Sequence, residues 1–126
     1  MYPGESKFPF YDSTYYHDNY VKFLLCGKEP VKHDDGLRIF NKVGDAYGFL
    51  TDAAYIVDCR NKVEFMLTAT IYCNSDGIFN DDKYDYETIG FPFLRNLGKI
   101  IYEYELKRQG SDIPDLSLFQ FDYSVD

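Results

Sequence analysis

The sequence predicts an α+β fold, an antiparallel β-meander of about three strands with a long C-terminal helix packed on one face. Three runs rich in strand-forming residues predict the sheet, at 37–43, 53–59 and 63–72. After Pro92 the period becomes helical, because large apolar residues recur along one helix face: Phe93, Leu97, Ile100, Ile101 and Tyr104. Three strands followed by one helix favour a sheet that is covered on one face.

The 126 residues are interpreted as a single partial domain in five segments. A short helix is expected at His17–Leu25, and Gly27 would stop it. In chain order the segments are an N-terminal loop with that short helix (1–36), the three-stranded sheet (37–72), an acidic loop (73–91), the long helix (92–109) and a tail (110–126).

The second strand, 53–59, is nearly all apolar, which predicts that both of its faces are covered. The third strand alternates and predicts one strongly apolar face. The three cysteines form no framework of paired spacings and are interpreted as unpaired small hydrophobic residues: Cys26, Cys59 and Cys73.

The charge and hydropathy of the chain exclude several classes of partner. A net charge of −8 argues against binding nucleic acid or anionic lipid through a basic surface. No run approaches the roughly 20 apolar residues that span a bilayer, so no membrane insertion is expected. No signal peptide is recognised after Met1, and the residues alone leave the localisation undetermined.

One stretch, Asn41–Asp52, carries the most specific pattern in the chain. Lys42-Val43-Gly44 ends a predicted strand, Tyr47-Gly48 and then Asp52 follow, and an apolar strand begins at Ala53. This order resembles the lysine-threonine-glycine box of class A β-lactamases and related penicillin-binding transpeptidases. The resemblance covers roughly residues 37–108 and implies a partial β-lactamase/transpeptidase-like fold.

The resemblance also implies site residues for acyl transfer on a β-lactam, peptide or ester. Lys42 would be the catalytic cation beside the nucleophile, and the backbone N–H of Asp45 would donate to the oxyanion. Gly44 would let the substrate approach, and Val43 stands where the family has a hydroxyl that binds the substrate carboxylate.

No Ser-x-x-Lys occurs in the chain, so the resemblance implies that the nucleophile lies on an N-terminal helical part that this sequence lacks. The chain would then be the C-terminal part of a serine hydrolase, inactive by itself, with no cofactor and no metal. The resemblance suggests a periplasmic or other extracytoplasmic location.

Two alternatives stay open beside the hydrolase. The chain could be a non-catalytic binding module, or a pseudoenzyme, that uses an aromatic surface or the acidic loop. The loop holds a group of oxygen-bearing side chains whose spacing does not match an EF-hand. They are Asn74, Asp76, Asn80, Asp81 and Asp82.

Overall fold

A computed structural model gives the structure of the protein and describes residues 6, 8–31, 36–108 and 112–119. Three antiparallel strands form one sheet in the order β1-β2-β3: β1 (Leu37–Ala46), β2 (Phe49–Asp58) and β3 (Val63–Tyr72). A one-turn helix, α1 (Phe23–Cys26), precedes the sheet, and a long helix, α2 (Phe91–Lys107), follows it. The predicted α+β arrangement is therefore confirmed.

The first hairpin is tighter than the sequence predicts. β1 continues to Ala46 and β2 begins at Phe49, so the turn is only Tyr47-Gly48. Tyr47 has φ 51° and Gly48 has φ 90°, and two positive φ values are what a type I′ hairpin turn requires. Gly44, which lies just beyond the predicted strand 37–43, is paired within β1 opposite Thr51.

The sheet buries one face, which we call the inner face. Leu50, Asp52, Ala54 and Ile56 of β2 point to this face and are buried, and Leu94 of α2 joins their core. On the opposite, outer face of β2, the residues from Thr51 to Tyr55 are half-buried. The expectation that both faces of the second strand are covered is therefore met at Val57, which is buried, and only in part at Ala53 and Tyr55.

The predicted helix at His17–Leu25 is also wrong, because tertiary contacts override its local pattern. Val21 has φ 51° and Leu25 has φ 75°, left-handed values that interrupt a regular helix, so α1 is a single irregular turn. The carboxylate of Asp52 accepts a hydrogen bond from the backbone N–H of Leu24 at 2.9 Å. Buried polar contacts with the sheet thus hold residues 21–25 as a sequence of turns around α1.

Helix α2 is close to its predicted bounds. A π-helical turn, Tyr86–Gly90, leads into it, and a 3-10 turn, Ser117–Phe119, lies in the tail. A Cβ on Gly98 would stand 2.5 Å from the backbone nitrogen of Leu25, so the helix packs directly on the α1 turn. Within the described residues, no helix is both long enough and apolar enough to cross a bilayer.

The three cysteines carry no disulfide, as the sequence predicts. Residues 109–111 and 120–126, which include the end of the predicted tail, lie outside the described residues.

Candidate functional site

The four residues of the lysine box do not converge on one point. Lys42 lies on the outer face, is exposed, and donates from its ammonium to the carbonyl oxygen of Val43 at 2.9 Å. Val43 points the other way and packs against the core, half-buried. A Cβ on Gly44 would meet no atom within 4 Å, so this position is open. Asp45 is exposed on the same side as Val43, away from Lys42.

Strand β1 lies at an edge of the sheet, and its backbone groups alternate between β2 and the free edge. The type I′ turn pairs Ala46 with Phe49, and at the other end of the ladder the N–H of Cys59 donates to the carbonyl of Gly36. Even-numbered residues of β1 therefore hydrogen-bond to β2. The N–H groups of Val43 and Asp45 consequently face the free edge.

A pocket opens beside the first hairpin turn, with a volume of about 430 Å³. Its lining combines two carboxylates with three phenol rings: Asp45, Ala46, Tyr47, Asp82, Tyr84 and Tyr86. We call it the acidic aromatic pocket. Of the residues that the lysine box predicts for the site, Asp45 is the one that belongs to this pocket.

The hairpin wall of the pocket is held by hydrogen bonds that reach across the chain. Gly48 donates its N–H to the hydroxyl of Tyr86 at 2.9 Å, and that hydroxyl donates to the carbonyl of Phe49 at 3.3 Å. The N–H of Cys73 donates to the carbonyl of Gly48 at 2.6 Å. A Cβ on Gly48 would stand 2.5 Å from that of Asn74, so glycine is needed there for space as well as for its positive φ.

The opposite wall comes from the acidic loop. The backbone N–H of Asn80 donates to the hydroxyl of Tyr84 at 2.9 Å, and the rings of Tyr84 and Tyr86 lie 5.4 Å apart. Burial raises the pKa of Tyr86, so its hydroxyl stays protonated at neutral pH. Asp82 has φ 58°, a left-handed conformation that aspartate tolerates better than most residues.

The carboxylates of the pocket differ from the others in the loop. Asp76, Asp81 and Asp85 each accept a backbone N–H from within the loop, and so they shape it. Asp45 and Asp82 are exposed and have no hydrogen bond or ion pair with any residue that the structure describes. Two negative charges therefore stand at the pocket without a partner in the described part of the chain.

An aromatic ridge adjoins the pocket at Tyr47 and consists of Tyr47, Phe79, Tyr72 and Phe49. The ring centroids are 6.5 Å apart from Tyr47 to Phe79, 6.4 Å from Phe79 to Tyr72, and 4.7 Å from Tyr72 to Phe49. Between 44% and 58% of each side chain is exposed. The ridge therefore extends the apolar surface of the pocket beyond its mouth.

The oxygen-rich group predicted in the acidic loop is engaged in part by hydrogen bonds within the loop itself. Asn74 is buried, donating from its side chain to the carbonyl of Ile78 at 3.0 Å and accepting from the N–H of Gly77 at 3.1 Å. Across the described ranges, no three His, Cys, Asp or Glu side chains are grouped so that they could hold a metal ion.

A second polar cluster lies in the core beneath the sheet. Lys22 donates to the side-chain oxygen of Asn41 at 3.2 Å, and Asn41 donates to the carboxylate of Asp52 at 2.9 Å. All three side chains are buried or half-buried, and burial raises the pKa of Asp52. Because Asp52 also binds the backbone at Leu24, we interpret the cluster as the anchor of the α1 turn.

Comparison of the chain with protein-family models, with curated proteins and with solved structures gave no match. The site therefore has to be interpreted from its own residues. Tyr84 and Tyr86 were missed in the sequence, because nothing local shows that the loop folds back onto the hairpin turn. The density of tyrosine and aspartate between 81 and 86 is the signal that points to them.

Proposed function

We propose that this protein is a non-catalytic binding module whose acidic aromatic pocket takes a cationic group, an alkylated ammonium or a guanidinium. The observation that carries the proposal is that Asp45 and Asp82, two carboxylates without a partner among the described residues, line one pocket with three tyrosines. The net charge of −8 supports it, because an acidic surface raises the local concentration of cations.

The residue types suit a cation for a physical reason. The face of an aromatic ring is the negative end of its quadrupole and attracts a cation within about 6 Å of the ring centroid. A carboxylate adds a full negative charge. At a half-exposed site a cation is attracted by both the rings and the carboxylates and still keeps part of its hydration shell. Alkylated ammonium groups suit this combination best, because their methyl groups lie against the rings while their charge stays near the carboxylates.

The dimensions agree with a small group or one side chain. The pocket of about 430 Å³ lies in the range of roughly 300–1,000 Å³ that is typical of small-molecule sites. The three hydroxyls and carboxylates are also able to bind a neutral sugar, and the two ligand classes differ in their dependence on charge. A charged ligand and a neutral ligand of the same shape therefore distinguish the two classes.

The experiment is calorimetric titration with choline and with its neutral isostere 3,3-dimethylbutan-1-ol. We expect choline to bind and the isostere to bind at least about tenfold more weakly, because only the former carries charge. Equal binding of the two would contradict the proposal, and so would binding of neither.

Matched variants locate the effect in the pocket. Asp45→Asn and Asp82→Asn each remove one charge from its lining and should weaken choline binding about two- to fivefold, the size of one exposed charge contact. Glu103→Gln removes the same charge from the exposed surface of α2 and should leave binding unchanged. An equal loss in all three variants would point to net charge alone and would contradict the pocket.

A second candidate is the serine hydrolase that the lysine box resembles. Two features favour it: Lys42 is exposed on an edge strand, and the N–H of Asp45 faces the free edge, where a substrate carbonyl could approach. Its test is mass spectrometry of the full gene product after exposure to a penicillin and to small esters. If the hydrolase candidate is right, the gene product is acylated, and Lys42→Ala slows the acylation by roughly 10²-fold. No acylation, or no effect of the substitution, would contradict it.

A further inference from the structure

We propose that the partner of the acidic aromatic pocket is an extended basic peptide that pairs with the free edge of β1 along 42–46. One lysine or arginine of the peptide then enters the pocket. The inference rests on the proposed function and adds the kind of partner to it.

The free edge supplies the pairing groups. The N–H and carbonyl groups of Val43 and Asp45 face away from β2, as the alternation of the ladder requires. The residues Lys42, Gly44, Asp45 and Ala46 are exposed, and a Cβ on Gly44 would meet nothing within 4 Å. Among the described residues, no backbone group outside the sheet bonds to 42–46.

The free length of this edge is short, which sets the size of the partner. At Asn41 the segment before α1 approaches β1, since the side chain of Asn41 donates to the carbonyl of Val21 at 2.8 Å. At Ala46 the hairpin turn begins. The stretch 42–46 therefore remains free, enough for a short added strand to make two or three backbone hydrogen bonds.

The position of Lys42 also indicates that the edge of β1 is open to pairing. Its ammonium lies 2.9 Å from the carbonyl oxygen of Val43, one of the groups that face outward. A lysine that covers a free carbonyl is a common device against unwanted pairing of an edge strand. The contact is exposed and a peptide N–H can replace it, so Lys42 restricts which strands pair here.

The pocket and the edge meet at Asp45. Its backbone N–H belongs to the free edge, while its side chain lines the pocket on the inner side of the strand. In an added strand, side chains alternate between the two faces, so the residues beside Asp45 on the inner side approach the pocket mouth. Charge complementarity favours a basic side chain there, because Asp45 and Asp82 are unpartnered among the described residues.

The test compares Nα-acetyl-lysine methylamide with a peptide that places the same lysine in a strand, acetyl-Thr-Val-Lys-Val-Thr-amide. We expect the peptide to bind about tenfold more tightly or better, since two or three net backbone hydrogen bonds add to the pocket contact. Replacing its lysine with norleucine should lower binding at least about tenfold.

Two methylated peptides give the signature of strand pairing. One carries N-methyl groups on both valines and the other carries one on the lysine, so they block alternate backbone donors. If the peptide pairs with β1, one methylated peptide loses the extra affinity over the lysine derivative and the other keeps it, because alternate N–H groups of a strand face opposite ways. If both patterns keep the gain, or both remove it, the pairing is contradicted.

On the protein, Val43→Pro removes an outward N–H of β1. Proline is tolerated on an edge strand where the N–H faces solvent, and we expect peptide affinity to fall to that of the lysine derivative. Binding of the lysine derivative itself checks that the pocket is intact; if this variant does not fold, the methylated peptides still decide.

The outcomes separate the two proposals. If the lysine derivative binds and the peptide gains nothing, the cation pocket stands and the strand pairing fails. If neither binds while choline does, the cation pocket stands and the basic peptide is overturned as its partner; if choline also binds no better than its neutral isostere, the proposed function fails. Concentration-dependent sedimentation that Val43→Pro abolishes would assign the edge to a second copy of the chain and overturn the peptide partner.

Discussion

At the end of the sheet where β2 turns into β3, the carboxylate of Asp58 accepts from the backbone N–H groups of Arg60 and Asn61 at 2.9 and 3.0 Å. It also accepts from the side chain of Asn61 and from the hydroxyl of Tyr102 on α2. At the other end, where β1 turns into β2, Asp45 is exposed and lines a pocket with tyrosines. The same residue types thus close one end of the sheet and leave the other open.

The two ends of the sheet differ in whether their polar side chains remain available to a ligand. At the closed end, aspartate accepts hydrogen bonds from the tyrosine and from the turn. These groups therefore contribute to folding and are not available to bind a ligand. At the open end, the hydroxyl of Tyr86 fixes the turn while Asp45 and Asp82 stay without partners among the described residues. We therefore expect mutations at the closed end to change stability and mutations at the open end to change binding.

The largest expected effect is from Asp58→Ala, which leaves the hydroxyl of Tyr102 and the N–H groups of Arg60 and Asn61 without their acceptor. Loss of these bonds should lower the free energy of unfolding by about 2–3 kcal/mol. Urea denaturation measures it, with Asp45→Ala as the matched control, which should change stability by less than about 0.5 kcal/mol. Similar losses in the two variants would remove the distinction between the ends.

A smaller loss is expected from Gly48→Ala, which acts on the open end through the backbone. At φ 90° a Cβ would clash with Asn74, so the free energy of unfolding should fall by about 1–2 kcal/mol and choline binding should weaken. Gly44→Ala is the control, because the added methyl meets no atom within 4 Å. If Gly48→Ala is as stable as Gly44→Ala, the hairpin turn does not have the geometry described.

Stability should depend on pH through the closed end. Burial raises the pKa of Asp58, but the hydrogen bonds from Tyr102, Asn61 and Arg60 outweigh it and hold the pKa below its usual value. The unfolded state therefore binds this proton more tightly, so the contribution of Asp58 is present above about pH 4 and is lost as the pH falls through the folded pKa.

On the alkaline side the sign is reversed. Burial, and then the bond to Asp58, raises the pKa of Tyr102 to about 12, so its contribution is lost as the pH rises from about 10 through that value. Tyr102→Phe should reduce the loss of stability at alkaline pH, measured as a smaller fall in the denaturant midpoint. The rest of the fall should remain, because the pKa of Tyr55 is also raised to about 12. Tyr104→Phe, at an exposed position on α2, should leave the profile unchanged.

The sequence was sufficient for the elements whose pattern is local. The alternation from Leu37 and the helical spacing after Pro92 predicted the sheet and α2, because burial of one face determines both periods. The helix at His17–Leu25 failed because the buried Asp52 binds the backbone at Leu24, a contact across 28 residues that no local spacing encodes.

The site was partly predictable for the same reason. The lysine box singled out Asp45, but for its backbone N–H and not for the carboxylate that lines the pocket, and the acidic loop was named as a possible binding element. The pocket itself depends on Tyr86 reaching back 38 residues to the N–H of Gly48, which composition cannot reveal. The role of Lys42 in catalysis stays a prediction.

The most direct test of the cation pocket is a titration of the ¹⁵N-labelled protein with tetramethylammonium, followed by amide chemical shifts. We expect shifts that saturate at Ala46, Gly48, Asp82 and Tyr84, while the amides of Arg60 and Asn61 at the closed end stay unchanged. The Gly48 amide is the most informative, because it donates to the hydroxyl of Tyr86 in the pocket wall. No saturable shift at these residues, or equal shifts at both ends of the sheet, would contradict the account.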